Sequence, residues 1–374
     1  MNKGKPQIIA SNENEHYGEN RNKGSTIKTH KHLYEKIISL ENIQLAITKA
    51  SRGKLKRASV QRVLKDRELY AKKVQDKLMG RDLKLLESTT KKTRLENGKA
   101  RELAISPFYP NQIIHHALAN IIEPLLLKTL STQTCACIKG RGVDYGLKRV
   151  KAYAKVYRYY LKCDIAKFYA HINLAILQKQ IARNISCART LTLIAKVLGA
   201  NKKGLDLGSY LSALFGNIYL RDIDRAHTKG VKLVRYADDI VLFSDSKGEL
   251  WRSFGNIKRA LQDLGLHAHK VCLRPMQVGL DFLGVVSFAS FARVRKATAK
   301  RIKDLARLKR VGAKEFARIF SYYGYIKRAS CFNLFSKILR VIKHKIKVYC
   351  KKARIAYPLK GLCFYRREKR LFTL

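Results

Sequence analysis

Apolar positions recur at helical spacing from His32 to about Gly80 (HLYEKIISLENIQLAITKA, then ASVQRVLKDRELYAKKVQDKL), with basic residues interspersed. Residues 1–30 lack that period and are rich in Asn, Gly and Lys, so a flexible polar tail is expected there. The stretch TTKKTRLENGKARELAISPFYP, with a turn at Gly98 and its end at Pro110, predicts a basic hairpin. A helix follows in IIHHALANIIEPLLLKTL, which Pro124 is expected to interrupt or kink. Between about 160 and 290 the character changes. Strand-like apolar runs appear in YYLKCDIAKFYAHI, GSYLSALFGNIYL, VKLVRYADDIVLFS and GLDFLGVVSF, beside nearly all the informative acids. Near the C-terminus NLFSKILRVIKHKIKVY returns to helical spacing, with basic residues at the other positions.

Charge changes this picture most. The 374 residues carry 78 Lys and Arg against 27 Asp and Glu, a formal net charge of +51. From residue 300 onward there are 23 basic residues and three acids, Asp304, Glu315 and Glu368. Solubility needs only a modest net charge, and self-repulsion on this scale is costly unless a polyanion neutralises it. A nucleic-acid partner is the expected reason. No apolar run reaches membrane-spanning length and no signal-peptide core is present, so no membrane association and a cytoplasmic location are expected. The eight cysteines contain no C-x-x-C pair, which fits reduced thiols better than a zinc site.

The sharpest chemical signal is VKLVRYADDIVLFS. Leu233–Tyr236 and Ile240–Phe243 can pair as a hairpin whose turn holds Asp238 and Asp239. Asp-Asp is common in surface turns, but two adjacent carboxylates between strongly apolar strands repel each other without a cation. Asp164 ends a second apolar strand in YYLKCDIAKFYAHI. Alone it could cap a helix or pair with a base. Carboxylates from two strands are what phosphoryl transfer uses to hold two Mg²⁺ ions about 3.5–4 Å apart. One ion activates a primer 3′-hydroxyl, and the other stabilises leaving pyrophosphate. Hard oxygen ligands suit Mg²⁺, with Mn²⁺ as a substitute.

YADD at 236–239 and LKCDIAKFYAHI at 161–172 resemble the signature motifs of reverse transcriptases, and motif order is similar from about Arg101 to Gly284. RELAISPFYPNQIIHHAL resembles the family's fingers block, LDLGSYLSALFGNIYL its template-contacting block, and GLDFLG (279–284) its primer-grip strand. CIKGRGVDYGLKRVK and SYYGYIKRASCFNLFSK are similar to stretches of diversity-generating retroelement and defence-associated bacterial enzymes. The resemblance implies an α+β right-hand polymerase with a ferredoxin-like palm, mixed fingers and a helical thumb. It places fingers at 31–160, palm at 161–290 with a fingers-like insertion near 174–205, and a basic helical thumb and C-terminal tail at 291–374. It implies Asp164, Asp238 and Asp239 as the catalytic metal ligands. Tyr169 falls where a ring abuts the sugar 2′ position and makes the product DNA; a core aromatic is the plain alternative. Arg101, with Lys99, matches the triphosphate clamp, a role a guanidinium fills bidentately. Leu207 and Gly208 face the incoming nucleotide, and Lys270 could donate a proton to pyrophosphate. Phe282, Leu283 and Gly284 form the primer grip, and Lys327, Arg328, Lys343 and Lys347 contact nucleic-acid phosphates.

Two departures stand out. Leu207-Gly208 and Ser212-Ala213 replace the family's Gln-Gly and Ser-Pro, and Asn111-Gln112 replaces Asp-Arg. Mutagenic retroelement enzymes also carry an aliphatic residue at the first position but typically Ser-Gln at the second, which favours the defence-associated relatives. No acid cluster for an RNase H site follows Gly284. The partners implied are a structured non-coding RNA template, dNTPs and a DNA product, with an accessory protein or second polymerase subunit left open. An inactive RNA-binding scaffold and a ribonucleotide polymerase or nucleotide cyclase are the competing readings.

Overall fold

The computed structural model describes residues 29–80, 85–96, 99–199 and 204–354. The expected N-terminal tail, apart from its last two residues, the turn at Gly98 and the C-terminal tail from residue 355 lie outside them. Four helices open the described chain: α1 (Tyr34–Ile38), α2 (Leu40–Ser51), α3 (Ala58–Lys65) and α4 (Arg67–Leu78). In α2, Ser39 accepts a hydrogen bond from the Asn42 amide at 3.3 Å and so caps the helix. Ile43, Ala46, Ile47 and Ala50 then line one buried stripe. The basic hairpin follows as β1 (Thr90–Glu96) and β2 (Lys99–Ile105), paired antiparallel. α5 (Ile113–Leu127) packs against α2. The helix runs through Pro124 without a break. The apolar face of α5 is buried along its length, and that packing offsets the lost backbone bond.

The central unit contains α6 (Val143–Val156), β3 (Tyr159–Ile165), α7 (Phe168–His171), α8 (Leu174–Ala182), α9 (Ala188–Leu198) and α10 (Ser212–Tyr219). It continues with β4 (Lys232–Tyr236), β5 (Asp239–Ser244), α11 (Lys247–Asp263) and β6 (Ala268–Pro275). The sheet order is β4-β5-β3-β6, all neighbours antiparallel. With α7–α10 between β3 and β4 and α11 between β5 and β6, this is the ferredoxin-like arrangement. Residues 174–205, expected as an insertion, include α8 and α9; α8 packs against α10.

Strand alternation sorts side chains to the two faces of the sheet. Leu161, Cys163, Ile165, Leu233, Ile240 and Leu242 join the main helical core. Tyr160, Val234, Val241 and Phe243 face the other way, against Val150 and Ala154 of α6. β7 (Leu280–Phe282), β8 (Val285–Ser287) and β9 (Ala292–Val294) form a small sheet beside this second face. The basic C-terminal region is helical, as expected: α12 (Lys296–Lys303), α13 (Ala313–Lys327) and α14 (Phe332–Lys352). They share their own core, in which Ile338, Ile342 and Ile346 of α14 recur every four residues.

One charged group lies at the centre of the β4–β5 hairpin. Arg235 is fully buried, and its Nε and Nη2 donate to the two carboxylate oxygens of Asp224 at 2.5 and 2.8 Å. Its remaining donors reach the Thr134 hydroxyl, Asn217 Oδ1 and the Ala237 carbonyl at 3.1–3.3 Å. The Thr134 hydroxyl donates to Asp224, and the Cys135 amide to the Arg235 carbonyl. Thus the residue two places before the YADD turn fixes that turn by its carbonyl.

Two stability predictions follow from these buried groups. Asp224→Ala leaves the guanidinium uncompensated and lowers unfolding free energy by about 3–5 kcal/mol, readable in denaturant titration. Thr134→Val costs about 1 kcal/mol in the same titration, because a single neutral hydrogen-bonded partner is lost. On α5, burial lowers the pKa of both His115 and His116 from 6.5 to about 4. Folding therefore favours the neutral rings: this stability is complete above pH 6.5 and is lost as pH falls towards 4. His116 stacks on Tyr210 at 4.0 Å, and its buried Nδ1 lacks a hydrogen-bond partner. His116→Phe is expected to keep the stacking and flatten the melting-temperature loss between pH 6.5 and 4.

Candidate active site

β3 and β5 pair as far as Cys163 opposite Ile240, and Asp164 and Asp239 are the residues that adjoin that last pair. Asp164 and Asp239 both lie on the second face of the sheet, the parity of Tyr160 and Val241. The turn itself is Ala237-Asp238, since Tyr236 already pairs with Asp239. Ala237 takes φ of 55°, the left-handed conformation a two-residue hairpin turn demands. The Arg235 bond to its carbonyl helps to hold this residue where alanine is uncommon. The three acids thus lie near the end of β3 (Asp164), in the hairpin turn (Asp238) and at the start of β5 (Asp239).

Their electrostatics bear the mark of crowding. Burial first, then the negative charges of Asp164 and Asp239, raise the Asp238 pKa to about 6, against its own backbone amide and Arg101. Burial also raises Asp239, opposed by Lys162 and reinforced by Asp164. Both shifts are relieved by an added cation. Among the described residues, no three or more His, Cys, Asp or Glu stand in ion-holding geometry. Mg²⁺ usually takes one or two carboxylates and completes its shell with water and substrate phosphates. The all-oxygen donor set therefore fits an ion that arrives with a nucleotide.

Around the acids, backbone contacts place the other expected residues. β2 carries Arg101, whose charge acts on Asp238. The same strand is docked by its backbone: the Ala104 amide donates to the Leu207 carbonyl at 2.7 Å. Gly208 follows with φ of 100°, and a Cβ there would lie 2.8 Å from the Ala104 carbonyl oxygen, so only glycine fits. Lys99 begins β2, and its side chain lies outside the described residues. Tyr169 on α7 packs on Phe168 at 4.9 Å, and its ring lies 3.3 Å from a Cβ built on Gly216. Burial, with Cys137 and Asp238 nearby, pushes its hydroxyl up to about 12, so the ring stays neutral beside the acids. Gly204 (φ 74°) lets the chain pass within contact of the Tyr169 and Ala170 carbonyls, and the Leu205 amide bonds the former at 2.7 Å. Lys270 sits at a bulge on β6, where pairing slips between Lys162 and Asp164 of β3. It takes φ of 52° and lines one cleft with Asp164, Asp239, Lys162 and Arg274.

Several expected contacts take a different form. Phe282 is fully buried under α6 and cannot touch nucleic acid; Leu283 and Gly284, in the turn after it, are part-exposed. Alternation along the short β7 puts Phe282 inward because Leu280, two residues earlier, is also core. Arg328 is engaged by Asp144 of α6 at 2.5 and 3.1 Å, a pair that ties α13 to α6. Lys327 lies over the Tyr323 ring, Lys343 is half-buried on α14, and Lys347 is exposed there. Asn111 is buried and exchanges two 2.8 Å hydrogen bonds with the Glu87 backbone, while Gln112 bonds Lys54 and the Ser106 carbonyl. This pair braces the base of the hairpin. Sequence reasoning missed Arg235, Asp224, Thr134 and Asn217. An arginine inside an apolar strand was the available signal, since a buried guanidinium requires an acid elsewhere. Lys162, sharing strand parity with Asp164, was also passed over.

Protein YkfC of Escherichia coli (strain K12) is 26% identical over 144 residues, 34% of this chain and 38% of that protein. A telomerase from Candida albicans, solved with a TWJ fragment of telomeric RNA, aligns at a TM-score of 0.46 and 13% identity, covering 71% of this chain and 55% of that one. An apo telomerase from Candida tropicalis aligns at 0.47 and 12%, covering 70% and 59%. The chain thus spans well under two thirds of the length of each of these proteins. No helix among the described residues is long and apolar enough to cross a membrane. The sequence profile of the family described as "Reverse transcriptase (RNA-dependent DNA polymerase)" matches residues 90–287, more than half of the chain and the whole stretch from the basic hairpin through the YADD turn to β8, and the chain belongs to that family.

Proposed function

We propose that this chain is an RNA-directed DNA polymerase that copies a dedicated structured RNA into DNA by two-metal phosphoryl transfer. The observation that supports the reading is the β3–β5 pairing of Cys163 with Ile240, next to which Asp164 and Asp239 follow in their strands beside the Asp238 turn. Two Mg²⁺ ions held by these acids would activate the primer 3′-hydroxyl and neutralise the leaving pyrophosphate. Arg101, on a strand fixed by the Leu207 carbonyl, orients the triphosphate. Tyr169, braced by Phe168 and Gly216, closes the space beside the sugar and excludes a 2′-hydroxyl by sterics. Lys270 supplies a proton to the departing pyrophosphate from the bulge on β6. The excess of basic residues, dense on α12–α14, matches a long polyanionic template and product. An inactive scaffold would have no reason to keep two adjacent acids, Asp238 and Asp239, whose charges burial opposes.

The biological role that fits best is bacterial antiphage defence. Ser212-Ala213, in place of Ser-Gln, sets the chain apart from the mutagenic retroelement enzymes it also resembles. Plaque counts on hosts carrying the native locus or its Asp238→Ala form test this role. Equal counts across a broad phage panel count against it.

Two measurements test the chemistry. Mg²⁺-dependent dNTP incorporation on a primed RNA template is expected from the wild type. Asp164→Ala and Asp238→Ala each reduce it by about a thousandfold or more. Incorporation that survives both substitutions, or is absent from the wild type with its copurifying RNA, favours the scaffold reading. Tyr169→Ala is expected to lower discrimination against rNTPs by about 10- to 100-fold with dNTP use retained, read from paired kcat/KM values.

A further inference from the structure

The face of the sheet that carries the acids also carries a cation with no role so far. Lys162 lies two residues before Asp164 on β3, so both side chains leave the strand on the same side. Its ammonium stands 3.4 Å from Asp239 Oδ1 and donates to the Asp281 carbonyl at 3.0 Å. It also lies 5.8 Å from the centre of the buried Phe282 ring. Asp281 in turn accepts a 2.7 Å hydrogen bond from Nε of Arg295, the residue that precedes α12. A polar chain therefore runs from the acids through Lys162 to β7, and from β7 to the root of the C-terminal helices. The Lys162 side chain is only 24% exposed, and its stem is spent reaching across between two segments far apart in sequence.

We propose that Lys162 is a positioning residue of the polymerase: it fastens β7 to the acid-bearing strand and holds Asp239 while no divalent ion is bound. The inference rests on the reading of the acids as the ion site and of the turn after β7 as the primer grip. It has two separable consequences. The ammonium competes with an incoming ion for Asp239, because both neutralise the same oxygen. The bond to the Asp281 carbonyl sets the distance between the strand end held after β7 and the acids that act on it, a geometry to which rate and strand affinity are sensitive.

Lys162→Met keeps the length of the stem and removes the charge and the donor. Mn²⁺ titration of the nucleotide-free protein, followed by electron paramagnetic resonance, is expected to show about three- to tenfold tighter binding in this variant. KM for primer–template is expected to rise about five- to tenfold, with KM for dNTP changed less than about twofold. Lys162→Arg restores the primer–template KM, because it keeps a cationic donor of similar reach. Should the Met variant unfold, Lys162→Gln removes the charge with a polar side chain and is expected to give the same Mn²⁺ tightening. Asp239→Asn, which weakens Mn²⁺ binding in the wild-type and Lys162→Met backgrounds alike, locates the ion. Unchanged or weaker Mn²⁺ binding on loss of the Lys162 charge, or an unchanged primer–template KM, overturns the proposal while leaving the polymerase reading intact. A wild-type protein that neither binds Mn²⁺ nor extends a primer overturns both.

Discussion

The buried ion pair between Arg235 and Asp224 is the constraint on which the site depends. A guanidinium with no exposure is tolerated only when its charge and donors are all answered, and here they are answered by a carboxylate, a hydroxyl, an amide and the Ala237 carbonyl. The last of these partners belongs to the turn that presents Asp238. The hairpin tip is thus held from beneath by a group that cannot move without exposing an unpaired charge. Thr134 and Asn217 draw on two further segments, so the loop before α6 and the helix α10 are fastened to the same point. Acids that repel one another are kept close by a cage whose members attract.

That cage and the acids occupy opposite sides of one energetic account. Burial raises Asp238 and Asp239 away from the ordinary carboxylate range, so folding without a cation works against their charges. The cost is met by packing on both faces of the sheet, where Val241 and Phe243 are buried against α6 and Ile240 and Leu242 against the helical core. A similar division appears at the surface. The basic C-terminal helices repel one another through their exposed lysines and are held by a separate apolar core. The pair between Arg328 and Asp144 then anchors them to α6.

The sheet was legible because its central strands, covered on both faces, read as continuous apolar runs beside a few acids. The hairpin at 233–243 and the strand ending near Asp164 could be located by apolar runs alone, and the helical C-terminal region by its four-residue recurrence of isoleucine. What stayed hidden depended on the partner of each residue. Arg235 looks like one basic residue among 78, and nothing local says that Asp224 answers it. Phe282 reads as part of the primer grip, and its burial in the core it shares with Val150 and Ala154 of α6 could not be read from the sequence. Arg328 reads as a phosphate contact until Asp144, distant in the chain, takes its fork. Pro124 marks a break only for an isolated helix; α2 and the core decide otherwise. Asn111 and Gln112, which stand where the family has Asp-Arg, hold the base of the β1–β2 hairpin through the Glu87 and Ser106 backbones.

The docking of β2 on residue 207 uses a main-chain oxygen, and the neighbouring glycine supplies the clearance. Whatever side chain residue 207 carries, the strand that bears Arg101 finds the same acceptor at the same distance. The scaffold is thereby insulated from the chemistry of that side chain. For the docking of β2, a glutamine and a leucine at that position are interchangeable, because neither side chain supplies the acceptor.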